Sequence, residues 1–146
     1  MATVIPNSFK AKIFGGSNQI NWTTDTIKAS LHTSALSLDQ DTLDYFDDLT
    51  NEVASSGSYT AGIGGGIALT NRTATVDNTD NEGVYDADDL AITSFTGTFR
   101  YIAIRKDTGV AATSPIIAVI DMGGDNSATA STVTIAWQPE GVFNIN

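Results

Sequence analysis

The segment FTGTFRYIAIRK, residues 95–106, indicates the fold class most directly. Its second half, residues 99–104, is apolar at both odd and even positions, which is typical of a central strand covered on both faces. Residues 115–121 have the same character and predict a second central strand. The polypeptide is therefore expected to be organised around a sheet.

The segments on either side alternate between apolar and polar residues, as half-buried strands do. In residues 26–32, one phase is apolar and predicted to face the core, and Lys28, Ser30 and His32 on the other phase are predicted to face solvent. Further strands are predicted within residues 67–76, 84–92, 132–137 and 141–145, with turns at 77–83, 107–109 and 121–125. About eight short strands at this spacing predict an all-β fold, a β-sandwich or a barrel-like structure, in one domain over residues 1–146.

Two segments with a different spacing predict one or two short helices. Phe9 and Ile13 are separated by four residues within 6–14, and Gly15-Gly16 is expected to end that helix. Residues 39–49 repeat apolar side chains every three positions, with Asp41 as the expected N-cap. Residues 1–16 could form an N-terminal docking arm, in which Ile5, Phe9 and Ile13 are the candidate interface residues.

Composition limits the classes of partner. Of the 146 residues, 17 are acidic and 7 are basic, and the formal net charge is −10. Such a surface repels phosphate, so we expect no binding to nucleic acid or to an anionic membrane, and a basic protein surface is the favoured partner. The chain has no cysteine, no signal-peptide pattern and no apolar run long enough to span a bilayer. Synthesis in the cytoplasm is therefore expected.

Three features have residue types that occur in sites of chemistry, but the pattern of each favours a structural interpretation. The single histidine, His32, lies near Ser30 and Ser34 but without the spacing of a catalytic triad. Glycines 62 and 64–66 lack the Lys-Ser/Thr pair and the following helix of a phosphate-binding loop. Aromatic residues on strands are predicted to be core rather than a ligand platform: Trp22, Phe95, Phe99, Tyr101 and Trp137.

The acidic segment 78–89 partly matches the spacing of a calcium-binding loop. Oxygen-bearing side chains and a glycine follow the required order: Asn78, Asp80, Glu82, Gly83, Asp86 and Asp89. However, the flanking segments are predicted strands rather than helices, and the last position is Asp rather than Glu. A solvated acidic hairpin is therefore expected, with no metal, no cofactor and no enzymatic activity.

Several segments together resemble a family of small structural proteins of tailed-bacteriophage particles. The segments are 25–31 (DTIKASL), 71–77 (NRTATVD), 83–89 (GVYDADD), 101–109 (YIAIRKDTG), 114–117 (SPII) and 137–141 (WQPEG). In this order they cover nearly the whole chain. The resemblance implies a non-enzymatic virion protein of the capsid decoration, or cement, type.

The resemblance also implies partners and a location. A cement protein binds the major capsid protein on the outer capsid surface and commonly forms a symmetric homo-oligomer, here expected to be a trimer. The alternative is a tail- or fibre-associated module that binds a host glycan or protein. The two differ in copy number, because a cement protein occurs many times per particle and a tail module only a few times.

Overall fold

A computed structural model of the chain describes residues 1–14, 16 and 19–146, and the all-β prediction is confirmed by it. Two antiparallel sheets have the strand orders β1-β7-β6-β2-β3 and β4-β5-β8. The strands are β1 (Ala2–Val4), β2 (Ile27–His32), β3 (Ile67–Ala68), β4 (Thr73–Asp77), β5 (Glu82–Asp86), β6 (Leu90–Lys106), β7 (Ile116–Ile135) and β8 (Phe143–Ile145). The helical elements are α1 (Asn7–Lys12) and two 3-10 turns, Phe46–Asp48 and Ala111–Thr113.

Strands β6 and β7 form the centre of the larger sheet, as their apolar sequences predict. They pair from Leu90 opposite Ile135 to Arg105 opposite Ile116. Strand β2 pairs with residues 101–106 of β6, along the edge of β6 that faces away from β7. Strand β1 pairs with residues 119–121 of β7, along the edge of β7 that faces away from β6. Residues 90–99 and 126–135 continue beyond both flanking strands as a two-stranded extension, which we call the outer ribbon.

Both faces of the central strands are buried. Ile102 and Ile104 belong to the main apolar core, whereas Tyr101 and Ala103 belong to a second cluster on the opposite face, with Leu43 of the 36–49 loop. Because this second cluster covers the sheet, the face of β2 that was predicted to be exposed to solvent is also largely buried.

The prediction that the polar phase of β2 faces solvent is wrong for two of its three residues. Ser30 and His32 are both 0% exposed, and Lys28 is half-buried. This phase lies on the face of the second cluster, since Ser30 pairs with Ala103 and His32 pairs with Tyr101. The Thr50 carbonyl lies 2.9 Å from His32 Nδ1 on the same face. A period-two pattern identifies the apolar face but does not reveal what covers the other one.

The predicted helix over residues 39–49 is also wrong, apart from the 3-10 turn at its end. The Asp39 carboxylate accepts the backbone N–H of Asp41, and the Asp48 carboxylate accepts the N–H groups of Asp44 and Tyr45. Aspartate side chains that bond to nearby backbone in this way compete with helical hydrogen bonding. Asp41 therefore lies in a turn and caps no helix.

Residues 121–125 were predicted to be a turn but form a large bulge within β7. Tyr101 pairs with Asp121, and Phe99 pairs with Asn126, so four residues of β7 stand opposite one residue of β6. Gly123 has a φ of 84°, a conformation that glycine adopts without strain. Residues that tolerate positive φ were correctly identified, but the strand continues instead of reversing.

The smaller sheet begins with a hairpin and ends with the C-terminal strand. The predicted polar turn joins β4 to β5, with Asp77 opposite Glu82, and β8 pairs with β5 through Tyr85 and Phe143. The rings of Tyr85 and Phe143 stack with centroids 4.8 Å apart. Strand β1, which the sequence did not predict, adds to the edge of the larger sheet.

Candidate functional site

The predicted N-terminal arm is hydrogen-bonded to the rest of the domain over its described residues. The backbone N–H of Asn7 donates to the Gln40 carbonyl at 3.1 Å, and its side-chain amide donates to Asp41 Oδ1 at 2.6 Å. The Ser8 hydroxyl donates to the Leu43 carbonyl at 3.3 Å. Gly15, named as part of the helix end, lies outside the described residues. Docking of this segment on a partner remains a prediction.

The three candidate interface residues occupy different environments. Phe9 is only 3% exposed and belongs to the main core, so its side chain offers almost no surface to a partner. Ile5 and Ile13 are half-buried and pack against that core. Sequence reasoning did not name Phe14, which is 97% exposed. The sequence did contain one signal of this exposure. Phe14 directly follows Ile13, so on a helix its side chain does not lie on the face that Phe9 and Ile13 share.

A groove connects these residues to the C-terminal strand. Its volume is about 660 Å³, and its lining includes Ile5, Ile13 and Phe14 together with Tyr85 and Ile145. Lys10 contributes a cation to the same lining. We call this the N-terminal groove; it combines an exposed aromatic ring with half-buried aliphatic side chains from both ends of the chain.

A second cavity, of about 290 Å³, lies beside this groove and is lined partly by aromatic rings. Trp22, Tyr85 and Phe143 contribute to it, and the rings of Trp22 and Phe143 meet edge to face at 5.2 Å. The Trp22 indole N–H donates to the Asp86 carbonyl at 3.1 Å. Trp22 and Phe143 are 4% and 5% exposed, so the rings serve mainly as core between the elements that they join.

The prediction that strand aromatics are core is confirmed for four residues and is wrong for Trp137. Buried are Trp22, Phe95, Phe99 and Tyr101. Trp137 is half-buried at the margin of the main core, and its indole N–H donates to the Asp88 carbonyl at 2.9 Å. Its backbone N–H donates to Asp89 Oδ1 at 3.0 Å. Trp137 therefore fastens the end of β7 to the start of β6 from the surface.

His32 forms a hydrogen-bonded pair with Ser30 inside the protein. The hydroxyl of Ser30 lies 2.9 Å from His32 Nε2, and His32 Nδ1 lies 2.9 Å from the Thr50 carbonyl oxygen. Since a carbonyl only accepts, Nδ1 carries the proton and Nε2 accepts from Ser30. Burial lowers the pKa of His32. A hydroxyl–imidazole pair can activate a nucleophile, but with both residues 0% exposed this pair instead fastens β2 to the segment at Thr50.

The glycine-rich loop surrounds a buried cation. Arg105 is 0% exposed, and its Nη2 donates to the carbonyls of Gly62, Ile63 and Gly65 at 3.2–3.4 Å. The guanidinium also lies 4.1 Å from the ring centroid of Phe46. Carbonyl oxygens that point at a cation have the opposite polarity to a phosphate cradle, which presents N–H groups. This arrangement supports the structural interpretation of the loop.

The oxygen ligands predicted for a calcium loop are distributed among separate interactions. The backbone N–H of Asp80 donates to Asp77 Oδ1, and Asp77 was not among the predicted ligands. Glu82 accepts the side-chain amide of Asn144 at 2.7 Å. Asp89 is bonded to Trp137 at the opposite end of the segment. The calcium-loop spacing is therefore not realised as a single site. Instead, Asp77 and Asp80 come near Glu140 in a surface cluster.

Among the described residues, no helix is long and apolar enough to cross a membrane. Comparison of the chain with protein-family models, with curated proteins and with solved structures found no match in any of the three.

Proposed function

We propose that this protein is a non-enzymatic structural component of a tailed-bacteriophage particle, which decorates the capsid and stabilises its shell. It would be made in the host cytoplasm, bind the major capsid protein on the outer capsid surface and associate with copies of itself. The sequence resemblance across most of the chain is the basis for the virion assignment. The N-terminal groove is the structural observation that carries the adhesive role, because it presents apolar side chains to solvent.

Exposed apolar anchors beside a groove are typical of protein-binding surfaces. Phe14 is 97% exposed, and Ile5 and Ile13 line the groove beside it. An aromatic anchor that becomes buried at the centre of an interface commonly supplies a large share of the binding free energy. Phe14 is therefore the residue that we expect to contact the capsid.

The charge of the protein favours a basic partner surface. Of the 17 acidic residues, only four form ion pairs with a Lys or Arg side chain among the described residues: Asp25, Asp44, Asp107 and Asp121. Most acidic side chains therefore contribute to the negative surface potential. Such a potential speeds encounter with a basic surface and weakens binding as salt is added.

Binding to shells that lack the protein tests this proposal. Purified protein is added to such capsids, and bound protein is quantified after sedimentation together with the temperature at which the shells disrupt. We expect wild-type protein to bind and to raise that temperature. Phe14→Asp should weaken binding by at least about tenfold, which corresponds to about 1.4 kcal/mol.

Val76→Asp is the matched control, because Val76 is also strongly exposed, at 78%, but lies on β4 of the other sheet. It should bind like wild type. Shells that bind no wild-type protein would contradict the decoration role. Binding that is lost in Val76→Asp and kept in Phe14→Asp would contradict the proposed contact surface.

The alternative is a tail- or fibre-associated module that binds a host glycan or protein. The aromatic-lined cavity of about 290 Å³ favours it, since carbohydrate and peptide ligands often stack on aromatic rings. However, Trp22 and Phe143 are 4% and 5% exposed and present little ring surface. Copy number per particle distinguishes the two functions.

A further inference from the structure

The outer ribbon leaves one edge of β7 unpaired. Strand β1 pairs with β7 only at residues 119–121. On the β6 side of the ribbon, the 53–59 loop supplies partners: the N–H of Ser58 donates to the Thr93 carbonyl at 3.0 Å, and the Ser56 hydroxyl accepts from Thr96 at 2.8 Å. In the part of the chain that the structure describes, the edge of β7 that faces away from β6 has no such partner over residues 126–135. We call this stretch the free edge.

The outer ribbon carries no charge, although the protein as a whole is strongly acidic. Residues 90–99 and 126–135 include none of the 24 charged side chains in the sequence. Exposed edge strands are usually protected against pairing by lysine, proline or bulges. The free edge has neither lysine nor proline. The ribbon has two register irregularities: β7 carries an extra residue at Ala130, where φ is 46°, and β6 carries one at Ser94, where φ is 53°, opposite residues 131–133.

One half of the outer ribbon is also less covered than the other. Phe95 and Phe99 of β6 are 0% and 2% exposed within the main core. On β7, Ala128 and Val133 are only half-buried. The main core and the 53–59 loop therefore support the ribbon on its β6 side. The free edge is the side on which a further strand would extend the sheet.

We propose that the free edge of β7 pairs in antiparallel fashion with the free edge of a second copy of this chain, across a two-fold axis. Two chains of net charge −10 repel one another, and the uncharged outer ribbon is where that repulsion is weakest. A two-fold pair needs only one surface, since the same segment occurs on both sides. Residues 131–135, beyond the irregularity at Ala130, form its centre.

This arrangement gives a dimer and not the trimer that the sequence resemblance implied. It does not depend on the capsid role, because the edge, its composition and its incomplete cover are properties of the isolated chain. A capsid-binding result therefore neither supports nor excludes it, and its own test is made on purified protein.

Sedimentation velocity with light scattering measures the association state from about 1 to 100 μM, the affinity range of modest interfaces. We expect a mass of twice the 15.3 kDa of the monomer. Thr132→Lys should convert the dimer to monomer, because each copy would bring a lysine into the paired edge close to the axis. Thr75→Lys, at an exposed threonine on the edge strand β4, should leave the dimer intact. Thermal melting confirms that both variants are folded.

Cysteine cross-linking locates the axis, and the absence of native cysteine keeps the background low. Single variants Ser131→Cys, Thr132→Cys, Val133→Cys and Thr134→Cys are oxidised and analysed on non-reducing gels. Facing residues in an antiparallel pair have Cα atoms about 4.5–5.5 Å apart, which suits a disulfide. Yield should peak at one position and fall on both sides, and Thr75→Cys should give background yield. A wild-type monomer or trimer, or a dimer abolished by Thr75→Lys but not by Thr132→Lys, would overturn the proposal.

Discussion

Lowering the pH from about 7.5 to 5.5 should destabilise the protein through His32. Its side chain is 0% exposed, with Nδ1 donating to the Thr50 carbonyl and Nε2 accepting from Ser30. Burial lowers its pKa, and the charge of Arg105 acts in the same direction, whereas the Thr50 hydrogen bond and the charge of Glu52 oppose the shift. The folded protein therefore binds a proton at His32 less readily than the unfolded chain does.

The sign and the size of the effect follow from this difference. The unfolded chain takes up the proton as pH falls through its ordinary pKa of 6.5, while the folded protein resists, so the free energy of unfolding decreases below that pH. One proton changes that free energy by at most about 1.4 kcal/mol per pH unit. The greatest loss at about pH 5.5, relative to about pH 7.5, is therefore about 1.4 kcal/mol. Hydrogen bonds from Arg100 lower the pKa of Asp121 below 3.8, so Asp121 acts in a more acidic range.

Urea unfolding followed by tryptophan fluorescence measures this loss at several pH values. His32→Gln is the control, since glutamine keeps a donor for the Thr50 carbonyl but does not titrate. The variant should be less stable than wild type at neutral pH and should lose the decline between about pH 7.5 and 5.5. A decline of the same size in His32→Gln, or a wild-type protein that becomes more stable over this range, would refute the reasoning.

Other substitutions test the packing around the candidate sites, each by urea unfolding. Trp22→Ala should lower the free energy of unfolding by about 3–5 kcal/mol, because removal of a buried ring leaves a cavity. Trp137→Ala should lower it by less, because Trp137 is only half-buried. Equal losses would show that exposure does not govern the stability effect at these two sites. Gly65→Ala should cost about 1–3 kcal/mol, because its Cβ would lie 2.1 Å from the Thr60 carbonyl oxygen. Gly64→Ala is its control, with no atom within 4 Å of the new Cβ, and a loss there as large as in Gly65→Ala would contradict this account of the loop.

The sequence predicted the central strands well because burial on both faces leaves a direct mark on composition. In residues 99–104 both phases are apolar, and the structure covers both faces of this segment. The same reasoning failed for β2, where the second face is covered by the main chain near Thr50 and is filled by Ser30 and His32. A sequence pattern records only whether each position is apolar or polar. It therefore cannot distinguish a polar residue that faces solvent from one that is buried and hydrogen-bonded to another polar group.

Local backbone interactions explain the other errors. Residues 39–49 have a helical spacing of apolar side chains, but Asp39 and Asp48 hold the backbone in turns through their carboxylates. Gly123 indicated a positive φ, and this conformation occurs, but within a bulge of a continuing strand. Residue type indicates which conformations are available at a position, whereas tertiary pairing decides the direction of the chain.

The candidate site was predicted only in part, for a similar reason. The helical spacing in α1 correctly placed Phe9 and Ile13 on one face, but that face packs against the core of the same chain. The groove acquires its other side from Ile145, more than 130 residues away in the sequence. No local pattern connects these segments, so the groove becomes evident only once both ends of the chain are folded.

The number of copies per phage particle tests the proposed function most directly. The proposed function implies that a phage encodes the chain. Particles of that phage are purified, and this protein is quantified against the major capsid protein by gel densitometry. The decoration role predicts a copy number comparable to that of the capsid subunits, with shells that disrupt at lower temperature when the protein is removed. A handful of copies per particle, or none, would contradict it.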